Sequence, residues 1–197
     1  KEGAATIALV GTTNTGKSTV LKELTGAKVE IGSYEYTTKK PEVGIADYHG
    51  IKLQIVEIPS IFEHFEDSPR GPTYLALIRQ ADLIVLFFKS PENRYLLYRE
   101  LANANINKPT IIYDNQKELL DQIWKSLHLI KIRTKTPGKE PDYPPIALPK
   151  GSSIKDFAEH VHKDFVRRFK FARVWGSSKF ARQRQGLKFQ LNDNRIV

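Results

Sequence analysis

Residues Gly11-Thr-Thr-Asn-Thr-Gly-Lys-Ser18 fit the pattern G-x-x-x-x-G-K-[ST], and this stretch constrains the fold more than any other. The pattern requires a strand, a tight turn and a helix in immediate succession. Its two glycines let the backbone wrap around an anion, so that consecutive N–H groups point inward. The lysine brings a point charge to the outer phosphates, and the serine hydroxyl is a hard oxygen ligand for Mg²⁺. Both flanks comply: Ala4 to Val10 reads as a buried strand, and Lys17 to Leu24 as a helix whose N-terminus faces the phosphates. A nucleotide-phosphate site is therefore expected at Gly11, Thr13, Asn14, Thr15, Gly16, Lys17, Ser18 and Thr19.

Beyond Gly26, a helix stop, residues 28–41 are polar and without period, and read as a loop. Pro41 to Tyr48 and Ile51 to Ile55 read as two strands of a hairpin turning at His49-Gly50. Residues 60–71 read as a second polar loop. Helices are expected over Thr73–Ala81, Glu92–Ala104 and Glu118–Leu129, with buried strands at Leu83–Phe88 and Pro109–Tyr113. Strands alternating with helices predict an α/β sheet covered on both faces, its ligand loop at the carboxyl end of the strands.

After Leu129 the character changes. A hairpin is expected between Ile130–Thr134 and Ile146–Leu148, around the proline-rich stretch 137–145. Ser153 and Asp156 make a capping-box pattern, and Ile154, Phe157, Ala158, Val161 and Phe165 give the following helix an apolar stripe. Further strands are expected at Phe171–Trp175 and Arg195–Val197, a small sheet gripping one helix. Charge divides at the same place. Residues 1–129 hold 15 Lys and Arg against 16 Asp and Glu, whereas residues 130–197 hold 16 against 6. The basic excess of the whole chain, +9, thus sits in the last third, which predicts a second module, 130–197, with a polyanion partner. Lys163, Arg167, Arg168, Lys170, Arg173, Lys179, Arg182 and Arg184 are the candidate phosphate contacts. A cation at a helix C-terminus also favours the dipole, which explains Arg167 to Lys170 but not the balance of the whole module. Phe169, Phe171, Trp175 and Phe180 could stack on bases, but a sheet this small needs them as core.

With no cysteine there is neither a disulfide framework nor a thiolate metal site. The longest apolar run, Ala81 to Phe88, is too short to span a bilayer, and no signal-peptide pattern opens the sequence. No membrane association and a cytoplasmic location are expected.

Tyr36-Thr37-Thr38 and Glu57-Ile-Pro-Ser60 resemble the first and second switch motifs of the Obg/DRG family of translational GTPases. Pro141-Asp-Tyr143, Leu148 to Ser153, Asp156-Phe157, His162 to Phe165 and Val174 to Ser178 resemble the TGS domain that follows the GTPase domain in DRG proteins. The resemblance implies a Ras-like P-loop GTPase domain over 1–129 and a β-grasp TGS domain over 130–197. It implies GTP/GDP as ligand and slow, weak GTP hydrolysis. Ser18 and Thr38 would hold Mg²⁺, Glu57 would reach it through water, Ser60 would meet the γ-phosphate, and Asn14 would hold K⁺. Lys17 and Thr38 would carry catalysis. RNA or the ribosome is the implied partner of the basic domain, with a regulatory protein as a further partner.

Three departures qualify that likeness. The family pattern at the second switch is Asp-x-Pro-Gly; here Glu57 is a methylene longer and Ser60 replaces the glycine. The guanine-reading motif Asn-Lys-x-Asp becomes Asn115-Gln-Lys-Glu118, which keeps the asparagine and an acid but not the lysine. The later Ser-Ala motif is absent, so one strand and its loop are missing. Two other readings therefore stand beside a GTPase switch: a degenerate nucleotide- or RNA-binding module without significant turnover, and a P-loop ATPase.

Overall fold

A computed structural model describes residues 3–26, 29–31, 41–115, 117–176 and 183–197. The chain divides into two compact units, Lys1–Tyr48 with Lys52–Leu127, and His128–Val197 with His49–Ile51.

The first unit runs β1 (Ala5–Gly11), α1 (Lys17–Thr25), β2 (Val29–Ile31), β3 (Glu42–Tyr48), β4 (Ile51–Glu57), a 3₁₀ turn (Phe65–Asp67), α2 (Gly71–Gln80), β5 (Leu83–Phe87), α3 (Pro91–Asn103), β6 (Thr110–Ile112) and α4 (Leu119–Leu127). Six strands form one sheet in the order β2-β3-β4-β1-β5-β6. Central β1 pairs in parallel with both β4 and β5, with Ile7 opposite Ile55 and Leu83. A strand flanked in this way is buried on both faces, which is why β1 and β5 are apolar almost throughout. Ala8, Val10, Ile84 and Leu86 meet Leu75 and Ile78 of α2 and Leu97 and Leu101 of α3. The alternate residues Ile7, Leu9, Val85 and Phe87 are equally buried. They belong to the opposite face, where α1 and α4 lie against the strands. The phosphate loop follows β1 and so sits at the carboxyl edge of this doubly covered sheet.

Three expectations for this unit change. Residues 28–41 are not wholly loop, because β2 pairs antiparallel with β3, placing Val29 opposite Gly44. A three-residue strand is too short to display a period. Residues 60–71 include the 3₁₀ turn, and Ile61 and Phe65 are 2% and 3% exposed. β6 is not a buried strand: it is the sheet's edge, paired only with β5 among the described residues, and Ile112 is 40% exposed.

In the second unit, β7 (Leu129–Arg133) pairs antiparallel with β8 (Ile146–Pro149) and parallel with β11 (Arg195–Ile196). β9 (Ala172–Val174) and β10 (Gln183–Gln185) form a second, antiparallel pair. Helix α5 (Ile154–Val161) begins with the expected capping box. Asp156 Oδ2 accepts from Ser153 N at 2.7 Å, and Ser153 Oγ accepts from Asp156 N at 3.4 Å. Its Ile154 and Phe157 pack with Ile130, Ile132, Leu148, Val174 and Leu191. The apolar stripe stops earlier than expected: Val161 and Phe165 are 38% and 53% exposed. Extended backbone at His162 ends α5, and His162 Nδ1 caps a separate helix, α6 (Lys163–Arg167), so the two segments do not share one face.

Candidate functional site

Gly11 ends β1 where the chain passes very close to β5. A Cβ at this position would lie 2.4 Å from the Phe87 carbonyl oxygen. At the far side of the turn Gly16, with φ 90°, is the N-cap of α1, and Asn14 also takes a positive φ of 56°. No side chain caps α1, so its first N–H groups remain available for an anion. Thr12 is buried, and its hydroxyl lies 3.4 Å from Asn93 Oδ1 in the first turn of α3.

Lys17 is 5% exposed. Its ammonium donates to Thr12 O at 3.0 Å and to Gly11 O at 3.5 Å, folding back over the loop. Burial lowers its pKa, and the Glu57 carboxylate works against that shift. Ser18 Oγ donates to Glu57 Oε1 at 2.7 Å. Burial raises the Glu57 pKa; Glu42 adds to the rise, whereas the Ser18 bond, Lys17 and Lys22 oppose it. Glu57 Oε2 and Glu42 Oε2 are buried with no hydrogen-bond partner among the described residues. Two backbone bonds pin the end of β4 beside the loop, Ile58 N to Leu9 O and Ile61 N to Gly11 O, both 3.0 Å.

These groups line one cleft of about 450 Å³, formed by Thr13, Asn14, Thr15, Gly16, Lys17, Ser18, Thr19, Glu57 and Ser60. Gly11 is not among the lining residues. Thr38 and the rest of the first switch motif fall outside the described residues. Asn115 and Glu118 are exposed and do not line the cleft; Asn115 Oδ1 instead accepts from Glu118 N at 3.4 Å. Ile61 follows Ser60, but its side chain is in the core, so it does not face a water at the cleft. Sequence reading missed Glu42; an acid opening a strand was its only trace.

In the second unit Arg167, Arg168, Lys170, Arg173 and Arg184 are exposed, Lys163 opens α6, and Lys179, Arg182 and Phe180 lie outside the described residues. Phe171 is not core: it is 43% exposed, with the Arg184 guanidinium 4.3 Å above its ring. Phe169 does pack against the core, half-buried. Trp175 is also half-buried, with the Lys135 ammonium 5.8 Å from its ring. Among the described residues no helix is long and apolar enough to cross a membrane, and no cluster of three or more His, Cys, Asp or Glu could hold a metal.

A mixed sheet, parallel at its centre, with this loop at the carboxyl edge of its central strand defines a P-loop nucleotide-binding fold. The family model of the 50S ribosome-binding GTPase matches residues 6–116, and that of the TGS domain matches residues 130–197. The chain belongs to the 50S ribosome-binding GTPase family, as a GTPase domain followed by a TGS domain of the kind found in developmentally regulated GTP-binding proteins.

Among its relatives, an uncharacterized GTP-binding protein of Methanocaldococcus jannaschii is 26% identical over 305 residues, covering 100% of this chain and 78% of the relative. Human developmentally regulated GTP-binding protein 2 is 24% identical over 301 residues, covering 100% and 83%. Both spans exceed the 197 residues here, so the relatives carry internal segments without counterparts in this chain. Among solved structures, the G domain of the T. maritima FeoB iron transporter matches with a TM-score of 0.51 at 19% identity, covering 62% of this chain and 98% of that one. The cytosolic domain of the same transporter in a GDP form matches at 0.52 and 17%, covering 84% and 76%. These are likenesses of fold.

Proposed function

We propose that the chain is a slow, Mg²⁺-dependent GTPase switch whose basic domain contacts RNA or the ribosome. The observation that carries the first half is the Ser18–Glu57 pair at 2.7 Å beside buried Lys17. A hydroxyl and a carboxylate, the latter with a buried second oxygen that has no partner among the described residues, are the hard-oxygen donor set that suits Mg²⁺. Ser18 would bind the ion directly, Glu57 through water, and Thr38 from the first switch. Bound there, Mg²⁺ would supply charge neutralisation to the nucleotide's phosphates. Lys17 would exchange its bonds to Thr12 O and Gly11 O for phosphate oxygens and neutralise charge developing on the β–γ bridge. The free N–H groups of the loop and of α1 would hold the phosphates, and Ser60 would approach the γ-phosphate. Asn14, on the exposed rim, would hold K⁺. Catalysis would then be positioning and electrostatics, without covalent chemistry by the protein.

A binding-only reading is favoured by Ser60 in place of glycine, by Gln116 where the guanine motif has lysine, and by the missing late motif. Titrating GTP, GDP and ATP, followed by turnover in K⁺ against Na⁺, separates the readings. Tight GTP binding with K⁺-stimulated turnover supports the switch, binding without turnover supports the binding module, and a preference for ATP overturns the guanine assignment.

A further inference from the structure

From Phe165 to Asn192 the sequence holds eight Lys and Arg and no Asp or Glu. The ribbon of β9 and β10 lies inside this run. Its antiparallel register sets Arg173 directly opposite Arg184. Residues paired in this way share one face with their Cβ atoms about 5 Å apart, and like charges there repel. Both arginines are exposed, and neither pairs with an acid among the described residues. The other face of the ribbon is conventional. Val174 belongs to the core of the unit, and Ala172 packs against that core. The ribbon is thus seated through Ala172 and Val174 and turns Arg173 and Arg184 outward.

Phe171 lies with the arginines. It is 43% exposed, and the Arg184 guanidinium stands 4.3 Å from the centre of its ring. This stack holds ring and guanidinium together as one platform. Two features of the face do not serve the unbound fold: a large ring left in water forgoes burial, and two opposed cations repel. A nucleotide with an unpaired base answers both. Its base can stack on an aromatic ring or a guanidinium plane whatever its identity. Its phosphate can lie between the two opposed arginines, because a guanidinium that rests on a ring still donates in its own plane. The bases of a duplex are already stacked on one another and do not reach such a platform.

We propose that Phe171, Arg173 and Arg184 form a binding site for single-stranded RNA, with an unpaired base on the Phe171–Arg184 stack and a backbone phosphate between Arg173 and Arg184. The proposal rests on the RNA reading of the basic domain and names the form of RNA that the domain takes.

The test is fluorescence anisotropy of the full chain with a labelled oligouridylate and with a labelled RNA duplex of the same length, inorganic polyphosphate serving as a competitor that has phosphates but no bases. Phe171→Ala and Phe171→Leu should each weaken oligouridylate binding by about tenfold. The same variants should leave competition by polyphosphate within about twofold of wild type. Leucine keeps the apolar bulk, so a loss shared by both variants belongs to the ring, and Phe171→Trp should retain wild-type affinity. Arg173→Ala and Arg184→Ala should each weaken oligouridylate and polyphosphate alike, and lower the slope of log affinity against log salt for oligouridylate by about 0.7. Phe171 is not part of the core, so these variants should fold, as circular dichroism can verify. Unchanged oligouridylate binding in Phe171→Ala, or an equal loss for polyphosphate, overturns the proposal while leaving the RNA reading intact. Tighter binding of polyglutamate than of oligouridylate assigns the face to an acidic protein and overturns it as well. If neither oligouridylate nor the duplex binds, the RNA reading itself fails, and the proposal with it.

Discussion

The two ends of the candidate nucleotide site are built to different standards. At the phosphate end, a lysine 5% exposed, a serine–glutamate pair at 2.7 Å and the uncapped start of α1 converge on one cleft. At the base end, Asn115 and Glu118 are exposed, bonded to one another and set beside an edge strand. Phosphate recognition draws mainly on backbone groups, which eight consecutive residues can supply alone. Base recognition needs side chains brought from separate loops, and one of the family's base-side motifs has no counterpart in this sequence. The phosphate end should therefore dominate affinity, and the base end should contribute only modest selectivity.

The largest expected effect tests that ranking directly. Lys17→Ala removes the one buried ammonium that lines the cleft among the described residues and should weaken GDP and GTP binding by about a hundredfold or more, measured by nucleotide titration. On the proposed reading, in which the exposed arginines of the second unit would contact phosphates, RNA affinity of the same full-length variant should stay at the wild-type level and fall steeply as salt rises. A loss below about tenfold would break the comparison, since the phosphate end would then not be what holds the nucleotide.

A smaller effect sharpens it. Asn115→Ala and Glu118→Ala should each change the ratio of GTP to ATP affinity by no more than about tenfold, because both side chains are exposed and neither lines the cleft. A collapse of the ratio by several hundredfold would mean that these residues close over the base in the bound protein, and the two ends would then be equals.

The same contrast explains what was legible in the sequence. The phosphate loop reads directly, because its strand, turn and helix are contiguous and each fixed residue has a local task. The capping box at Ser153 and Asp156 reads for the same reason. Features that depend on distant neighbours do not. The Glu100 carboxylate accepts from Phe65 N across 35 residues of chain, and nothing near either residue marks the bond. An apolar run such as Thr110–Ile112 looks alike at the centre or the edge of a sheet, so its partial exposure emerged only from strand order. The stripe continued through Phe165 fails at a single residue, His162, whose extended backbone periodicity cannot see.

The smallest effect concerns the cost that the phosphate end carries. Glu57 is the only residue lining the cleft that comes from β4 itself, and burial raises its pKa from the ordinary 4.5. In the unliganded protein it therefore binds its proton more tightly folded than unfolded. Its contribution to stability is fully present below the unfolded value and is lost as pH rises through the raised folded value. Glu57→Gln removes this titration, so the melting temperature of the unliganded variant relative to wild type should rise between pH 4 and pH 7.5. The same substitution should weaken the Mg²⁺-dependent part of GTP binding, because a carboxamide does not supply the charge that orders the metal's water. Parallel melting curves for the two proteins across that range would mean that Glu57 is not held in a desolvating site. The well-built end of the cleft would then rest on Lys17 and the backbone alone.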